Sequence, residues 1–169
     1  MKIAITGKMC YGKTTLANII KEYNDDYQIF SFGQKVKDIA TDLFLMQNKD
    51  RTLLTNIGTK MREIDPDIWA KYTINKCKDL DNVVIDDLRY QNEYDLLIKN
   101  DFKIIVLTLP KAIQIYRLKE CYPDNYMDHI ENMKHESENG INIKECLILD
   151  MNINIDIIKN VIYKYLNNL

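Results

Sequence analysis

Residues 2–15 of the chain combine a short apolar run, a glycine loop and the start of an amphipathic segment: Lys2-Ile3-Ala4-Ile5-Thr6-Gly7-Lys8-Met9-Cys10-Tyr11-Gly12-Lys13-Thr14-Thr15. The apolar run ends at a glycine, which predicts a buried strand over residues 2–6. Leu16, Ile19 and Ile20 recur at helical spacing and predict a helix over residues 14–23. The pattern GxxxxGK[ST] lies between these two elements, and this order predicts a phosphate-binding loop.

The chemistry of this loop predicts the ligand. Its glycines let the backbone turn so that N–H groups point at phosphate oxygens, and the following helix start adds partial positive charge. The Lys13 ammonium can reach the β and γ oxygens of ATP, and the Thr14 hydroxyl can ligate Mg²⁺. We therefore expect ATP and Mg²⁺ as cofactors. The residues expected to bind the nucleotide are Gly7, Lys8, Tyr11, Gly12, Lys13, Thr14 and Thr15.

Strand and helix patterns alternate along the rest of the chain. Short apolar runs predict further strands at residues 28–32, 82–86, 103–109 and 146–149. Apolar residues at helical spacing predict helices at residues 34–46, 51–62, 68–80, 93–99, 111–120 and 155–166. Such alternation is typical of a parallel sheet covered by helices on both faces. The prediction is one three-layer α/β domain over residues 1–169.

Two adjacent acids follow the buried strand predicted at residues 82–86. Asp86 and Asp87 lie at its carboxyl end, where ligands of parallel sheets bind. An acid in this position holds Mg²⁺ beside the phosphates in phosphate-loop proteins. Neighbouring side chains of an extended chain point to opposite sides, so one acid is expected to face the site, and the sequence leaves open which. Arg89, two residues after Asp87, can grip a phosphate with two hydrogen bonds.

The composition of the chain limits the number of domains, the partners and the cellular location that can be expected. With 169 residues, 46% of them hydrophobic, the chain is long and apolar enough for one folded domain. A net charge of −2 gives no sign of nucleic acid or an anionic membrane as the main partner. Cys10, Cys77, Cys121 and Cys146 lack metal-ligand spacing and are expected to be reduced thiols. No signal peptide or membrane-spanning segment is recognised, so a cytoplasmic protein is expected.

Five blocks, taken in order, resemble the deoxynucleoside monophosphate kinases of bacteriophages and large DNA viruses. After the phosphate loop they are residues 31–37 (SFGQKVK), 57–69 (IGTKMREIDPDIW), 87–93 (DLRYQNE) and 135–138 (HESE). The resemblance covers nearly the whole chain, and its GT-x-x-R…D-x-W and D-x-R-x-x-NE blocks are its specific parts. It implies a P-loop kinase fold and ATP-dependent phosphorylation of a deoxynucleoside monophosphate. It also implies the cytoplasm of a host cell and is compatible with a homodimer.

The resemblance assigns roles to particular residues. Lys13, Asp87, Arg89 and Arg117 are the implied catalytic residues, and Thr14, Asp86 and Asp87 are the expected metal ligands. The implied substrate-binding residues are Phe32, Lys37, Gly58, Thr59, Arg62, Trp69, Arg89, His135, Ser137 and Glu138. Trp69 fits a core position as well as a base-stacking one. Arg51, the remaining one of the four arginines in the chain, is interpreted as structural, and His129 is expected at the surface.

A polar stretch over residues 121–143 predicts an irregular segment that acts as a lid. Closure of a lid would shield the reaction from water, which otherwise competes with the acceptor. The sequence departs from the family here and in the loop. Its lid region is poor in arginine, Cys10 and Tyr11 are bulkier than the residues common in the loop, and Asp86 replaces a Ser or Thr.

The sequence is also compatible with two other functions. Animal-type phosphomevalonate kinases share the phosphate loop, a D-x-R turn and an H-x-SE-like segment, so another small-molecule kinase, with phosphomevalonate or dephospho-coenzyme A as acceptor, is one alternative. A nucleotide-binding regulatory module that transfers phosphate only to water is the other. The D-x-R turn and the lid disfavour such a module, because it needs no clamp for an acceptor phosphate.

Overall fold

The computed structural model describes residues 1–132 and 141–168. These residues form a five-stranded sheet between two layers of helices. The strands are β1 (Lys2–Thr6), β2 (Gln28–Phe30), β3 (Val83–Leu88), β4 (Lys103–Thr108) and β5 (Leu147–Asp150). The helices in this part of the chain are α1 (Lys13–Tyr23), α2 (Phe32–Phe44), α3 (Arg51–Ile64), α4 (Ile68–Cys77), α5 (Gln91–Lys99), α6 (Lys111–Cys121), α7 (Tyr126–Asn132) and α8 (Ile155–Asn167).

The strand order is β2-β3-β1-β4-β5, and every pairing is parallel. Parallel neighbours require a crossover connection, which the helices supply. Because β1 and β3 are adjacent, the residues that follow them meet at one edge of the sheet. The predicted class, a three-layer α/β fold with a parallel sheet, is confirmed.

Each face of the sheet has its own apolar core. Ile3 and Ile5 pack with α1 and α8 on one face, whereas Ala4 packs with α2, α4 and α5 on the other. This alternation follows from the two-residue period of a strand. The central strands are apolar on both faces because helices cover both. Burial of apolar surface contributes about 25 cal/mol of free energy per Å² and is the main force that holds the layers together.

A bulge lies at the carboxyl end of β3. Ala4 pairs with Ile85 and Thr6 with Leu88, so two steps along β1 match three steps along β3. The additional residue falls in the stretch that contains Asp86 and Asp87. A bulge bends its strand and redirects the side chains beside it, which sets the directions of these two carboxylates.

The predicted elements are present, with shifted ends, but one helix was missed. Residues 121–143 were expected to be irregular, and that expectation is wrong for α7, which lies within them. With seven residues this helix makes fewer than two turns and gives little periodic signal.

In the described residues, no helix is long and apolar enough to cross a membrane.

Candidate active site

The phosphate loop adopts a backbone that its glycines make possible. Gly7 and Gly12 have φ values of 154° and 91°. A Cβ on Gly7 would lie 3.0 Å from the Leu107 Cβ, and one on Gly12 would lie 3.0 Å from the Met151 Cε. The left-handed backbone therefore favours glycine at both positions, and close packing against Leu107 adds to this requirement at Gly7. Cys10 adds a third left-handed residue, with φ of 62°.

Lys13 begins α1 directly after the loop, with Gly12 as the N-cap residue. Its ammonium donates to the carbonyl oxygens of Gly7 at 2.5 Å and Lys8 at 2.9 Å. These contacts hold the positive charge over the concave side of the loop, at the start of a helix, where an anion is favoured. Thr15 is exposed on the same first turn.

Helix α6 holds the loop from its other side. Gln114 is buried, and its Nε2 donates to the Met9 carbonyl at 2.9 Å. The Arg117 guanidinium donates from Nη2 to the Met151 carbonyl at 2.8 Å and from Nη1 to the Cys10 carbonyl at 3.5 Å. Arg117, implied to be catalytic by the resemblance, thus joins the loop to the segment after β5.

Asp86 is the acid that faces the phosphate loop. Its carboxylate accepts from the Thr14 hydroxyl at 3.1 Å and from the Ser31 hydroxyl at 2.5 Å. The residue is 9% exposed. A carboxylate and a hydroxyl oxygen beside a phosphate loop are the hard oxygen donors that Mg²⁺ prefers. The sequence left open which acid faces the loop, and these contacts favour Asp86.

Asp87 has a different environment. Its two carboxylate oxygens accept from the backbone N–H groups of Phe32 at 2.7 Å and Gly33 at 2.9 Å, at the first turn of α2. Desolvation raises the pKa of the Asp87 carboxyl above its ordinary value, while the two N–H groups act in the opposite direction. Asp87 thus holds the start of α2, which explains why this helix begins at Phe32 instead of at the predicted residue 34. Its contacts do not favour the expected role as a metal ligand.

A cleft of about 840 Å³ joins the phosphate loop to α2, α3 and the end of β3. It brings together half of the residues predicted for the site. Those that line it are Lys13, Thr14, Phe32, Lys37, Gly58, Thr59, Arg62, Asp86, Asp87 and Arg89. A smaller cavity of about 420 Å³ on the other side of the loop is lined in part by Gly7, Lys8 and Tyr11, and Arg89 borders both spaces.

Arg62 lies in a defined setting at the wall of the main cleft. Its guanidinium sits over the Tyr90 ring, 4.5 Å from the centroid, and 3.7 Å from the Glu93 carboxylate. Glu93 is 3% exposed and accepts from the N–H groups of Arg89 and Tyr90 at the start of α5. Burial, together with nearby Asp87, raises the pKa of the Glu93 carboxyl to about 7 against the opposing hydrogen bonds and Arg62.

Several predicted residues lie elsewhere. Trp69 is 3% exposed in the core, and its indole N–H donates to the Gly58 carbonyl at 3.2 Å. It supports α3 at Gly58 from the core side, so the alternative of direct stacking on a substrate does not fit its position. His129 is fully buried, and the expectation of a surface residue is wrong. The implied substrate-binding residues His135, Ser137 and Glu138 lie outside the described residues.

Three further residues contribute to the cleft or to its acids without having been predicted from the sequence. The Ser31 hydroxyl donates to the same Asp86 carboxylate as the Thr14 hydroxyl does. Lys49 and Arg51 line the main cleft, whereas the sequence predicts a structural role for Arg51. A serine before a helix gives no signal of a long-range partner. For Lys49 and Arg51, the available signal was their position at the start of the helix that also carries Gly58, Thr59 and Arg62.

Comparison with known proteins gives a family match. The model of the family described as "AAA domain" matches residues 3–139, which is most of the chain. No curated protein sequence matches significantly.

Solved structures with the same fold include several kinases. The APS kinase of Mycobacterium tuberculosis, in complex with AMPPNP and APS, superposes with a TM-score of 0.61 at 13% identity and covers 98% of each chain. A sugar kinase from Janibacter sp. HTCC2649 gives 0.60 at 12% identity, covering 98% of this chain and 94% of the other. Shikimate kinase from Aquifex aeolicus gives 0.50 at 14% identity, covering 99% and 97%. These similarities establish the shared fold.

Proposed function

The chain belongs to the AAA domain family, and we propose that it transfers the γ-phosphoryl group of ATP to a deoxynucleoside monophosphate. The products are ADP and a deoxynucleoside diphosphate. The observation that carries the proposal is the single cleft in which Lys13 and Thr14 of the phosphate loop share a wall with Arg62 and Arg89. Donor and acceptor phosphates would meet there, between one lysine and two arginines.

Lys13 and the loop amides serve the donor side. The ammonium at the start of α1 can leave the carbonyl oxygens of Gly7 and Lys8 for the β and γ oxygens of ATP, which are stronger acceptors. There it stabilises the negative charge that spreads over the transferred group. Gln114 and Arg117 keep the loop in shape, so that its N–H groups are oriented before the nucleotide arrives.

Thr14 and Asp86 fit a magnesium ion that enters with ATP. Within residues 1–132 and 141–168, no group of three or more His, Cys, Asp or Glu could hold a metal ion by itself. Magnesium in nucleotide sites is held by one or two protein oxygens, by phosphates and by water, so this pair is sufficient. When bound, the ion neutralises phosphate charge. Ser31 holds the second oxygen of Asp86 and fixes the carboxylate toward Thr14.

Arg62 and Arg89 serve the acceptor side. Arginine can bind a phosphate through two parallel hydrogen bonds, which fixes its orientation as well as its charge. The Tyr90 ring and Glu93 hold Arg62, and the backbone of Arg89 is held by the Glu93 carboxylate. Phosphoryl transfer needs positioning and charge neutralisation more than covalent chemistry, and both arginines supply these.

The choice of a deoxynucleotide rests on the ordered motifs. The blocks at residues 57–69 and 87–93 both contribute to the cleft through Gly58, Thr59, Arg62 and Arg89. The cleft volume of about 840 Å³ suits a small-molecule ligand of nucleotide size. The lid function of residues 121–143 belongs to the same proposal, because water must be kept from the transferred group.

The test is ADP release from Mg-ATP with each candidate acceptor tested separately. The acceptors are dAMP, dCMP, dGMP, dTMP, the matching ribonucleotides, phosphomevalonate and dephospho-coenzyme A. Stimulation by one or more deoxynucleotides supports the proposal and identifies the base. If only phosphomevalonate or dephospho-coenzyme A stimulates ADP release, the chain is a kinase with that acceptor. If no acceptor changes the rate of ADP release, the chain is an ATP-hydrolysing regulatory module and not a kinase.

A further inference from the structure

Arg51 presents a charge to the main cleft that no acid neutralises among the described residues. It is the first residue of α3 and is half-buried. Its two close partners are uncharged side chains. Nη1 lies 2.6 Å from Nδ1 of His129, and the guanidinium carbon lies 5.6 Å from the centroid of the Tyr122 ring. Arg51 therefore keeps its full charge available for an anion.

Lys37 and Lys49 line the same cleft, and neither has a carboxylate partner in the part of the chain that the structure describes. Burial lowers the pKa of the Lys49 ammonium, and so do the charges of Arg51, Lys37 and Arg89. These cations are thus close enough to repel one another. Asp86, Asp87 and Glu93 also line the cleft, but within the described residues none of them forms an ion pair with Lys37, Lys49 or Arg51. The repulsion among the three cations is unfavourable, and an anion bound between them removes the penalty.

His129 holds Arg51 without cancelling its charge. A guanidinium can only donate, so Nδ1 of the imidazole accepts and the ring proton is on Nε2. The ring is fully buried and tilted against Tyr122, with the ring centroids 4.3 Å apart. Nε2 has no hydrogen-bond partner in the described part of the chain.

The protonation state of His129 agrees with this role. Burial lowers its pKa below the ordinary value, the charges of Arg51 and Lys49 act in the same direction, and Asp128 opposes them. The ring is therefore neutral at pH 7 and can accept from Arg51. A carboxylate in its place would hold the guanidinium equally well but would neutralise it. A neutral acceptor is the choice that leaves the arginine free to bind an anion.

We propose that Arg51, with Lys49, binds the phosphate of the acceptor, and that His129 is the positioning residue that holds the Arg51 guanidinium toward the cleft. The ligand class is a dianionic phosphate monoester, and the inference rests on the proposed kinase function. The acceptor is favoured over ATP because Arg51 lies on α3, the helix that also carries Gly58, Thr59 and Arg62. Arg51 would then have a binding role and not the structural one expected from the sequence.

The first experiment compares Arg51→Ala with Lys60→Ala in steady-state kinetics. Lys60 is on the same helix and is paired with Glu63 at the surface, so this control removes the same charge outside the cleft. Loss of charge-assisted hydrogen bonds predicts an acceptor KM that rises about tenfold or more in Arg51→Ala, with the KM for ATP within about twofold. Lys60→Ala should match the wild type. An unchanged acceptor KM in Arg51→Ala overturns the proposal.

The second experiment tests the positioning role of His129. His129→Asn places an amide oxygen near the position of Nδ1, whereas His129→Leu removes the acceptor. We expect the acceptor KM to rise in the Leu variant and to be largely restored in the Asn variant. The Leu change should add little in an Arg51→Ala background, because both act through one guanidinium. Equal effects of Asn and Leu, or full additivity with Arg51→Ala, would show a structural role only.

A third measurement separates this inference from the proposed function. If the wild type phosphorylates no deoxynucleotide, the function fails, and inorganic phosphate then serves as the probe. With AMPPNP occupying the phosphate loop, phosphate should raise the melting temperature of the wild type above that in chloride at equal ionic strength. Arg51→Ala should lose most of this increase. Equal increases in both proteins would exclude an anion site at Arg51.

Discussion

The Thr14 hydroxyl donates to the Asp86 carboxylate across 3.1 Å, although 72 residues separate them in the chain. Two features of the fold produce this contact. Pairing of β1 with β3 places the phosphate loop beside the end of β3, and the bulge at that end directs Asp86 and Asp87 to different partners. One carboxylate therefore faces the loop, while the other accepts from the first N–H groups of α2. The two adjacent acids therefore have different partners, which separate variants can test.

Alanine at each acid should distinguish these functions. Asp86→Ala should shift the magnesium dependence of the rate to higher concentrations and lower kcat, because it removes an oxygen donor beside Thr14. Asp87→Ala should lower the free energy of unfolding by about 1–3 kcal/mol, because the N–H groups of Phe32 and Gly33 lose their acceptor. Magnesium titrations of the rate and denaturant unfolding measure the two effects. A shift in magnesium dependence for Asp87→Ala alone would reverse the assignment.

Lys13→Ala should nearly abolish turnover. The ammonium is expected to stabilise charge on the transferred group, and loss of one such contact typically costs about a hundredfold to a thousandfold in kcat. Initial rates of ADP formation at saturating substrates measure the effect. Lys21→Ala, at an exposed lysine near the end of the same helix, is the matched control and should behave as wild type. Undiminished turnover in Lys13→Ala would refute the mechanism.

Arg89→Ala should act on the acceptor and leave ATP almost unaffected. Loss of a bidentate phosphate contact predicts an acceptor KM raised about tenfold and a lower kcat. The KM for ATP should stay within about twofold. Bisubstrate kinetics separate these parameters, and thermal unfolding controls for loss of structure. If the KM for ATP rose alone, Arg89 would belong to the donor side.

Much of the fold could be predicted because burial leaves a direct pattern in the sequence. The central strands are covered on both faces and are therefore continuous apolar runs, which could be recognised without tertiary information. Their buried members include Ile3, Ile5, Val84 and Ile105. Element ends were less predictable because long-range contacts set them. Helix α2 begins at Phe32 since Asp87, 55 residues away, accepts from its first N–H group. Helix α7 was missed because seven residues give too little periodicity.

In the candidate site too, local motifs could be predicted from the sequence and long-range contacts could not. The phosphate loop is local in sequence, so Gly7, Gly12, Lys13 and Thr14 could be recognised together. The pairing of Asp86 with Ser31, and that of Arg51 with His129, depends on strand order and helix packing, which no short motif records. Position along a strand did not tell Asp86 from Asp87 either, because the bulge there changes the directions of the side chains.

Glu93 should give folding a pH dependence that glutamine removes. Its pKa is about 7 in the folded protein against an ordinary value of 4.5, so the folded state binds the additional proton between these pH values. The contribution to stability is complete below about pH 4.5 and is lost as the pH rises through about 7. Glu93→Gln stays neutral, so the stability of the wild type relative to this variant should fall by about 3 kcal/mol between pH 4.5 and 8.

Denaturant unfolding at several pH values measures this difference, and Glu63→Gln is the matched control at an exposed glutamate of α3. The control should track the wild type, because its carboxylate stays in water, where its ion pair with Lys60 contributes little. The neutral amide of Glu93→Gln retains an oxygen for the N–H groups of Arg89 and Tyr90, so any constant offset between the curves reports packing beside Arg62. The change of that offset with pH reports protonation of Glu93. If the unfolding free energies of the two proteins change with pH in parallel, Glu93 is ionised throughout this range.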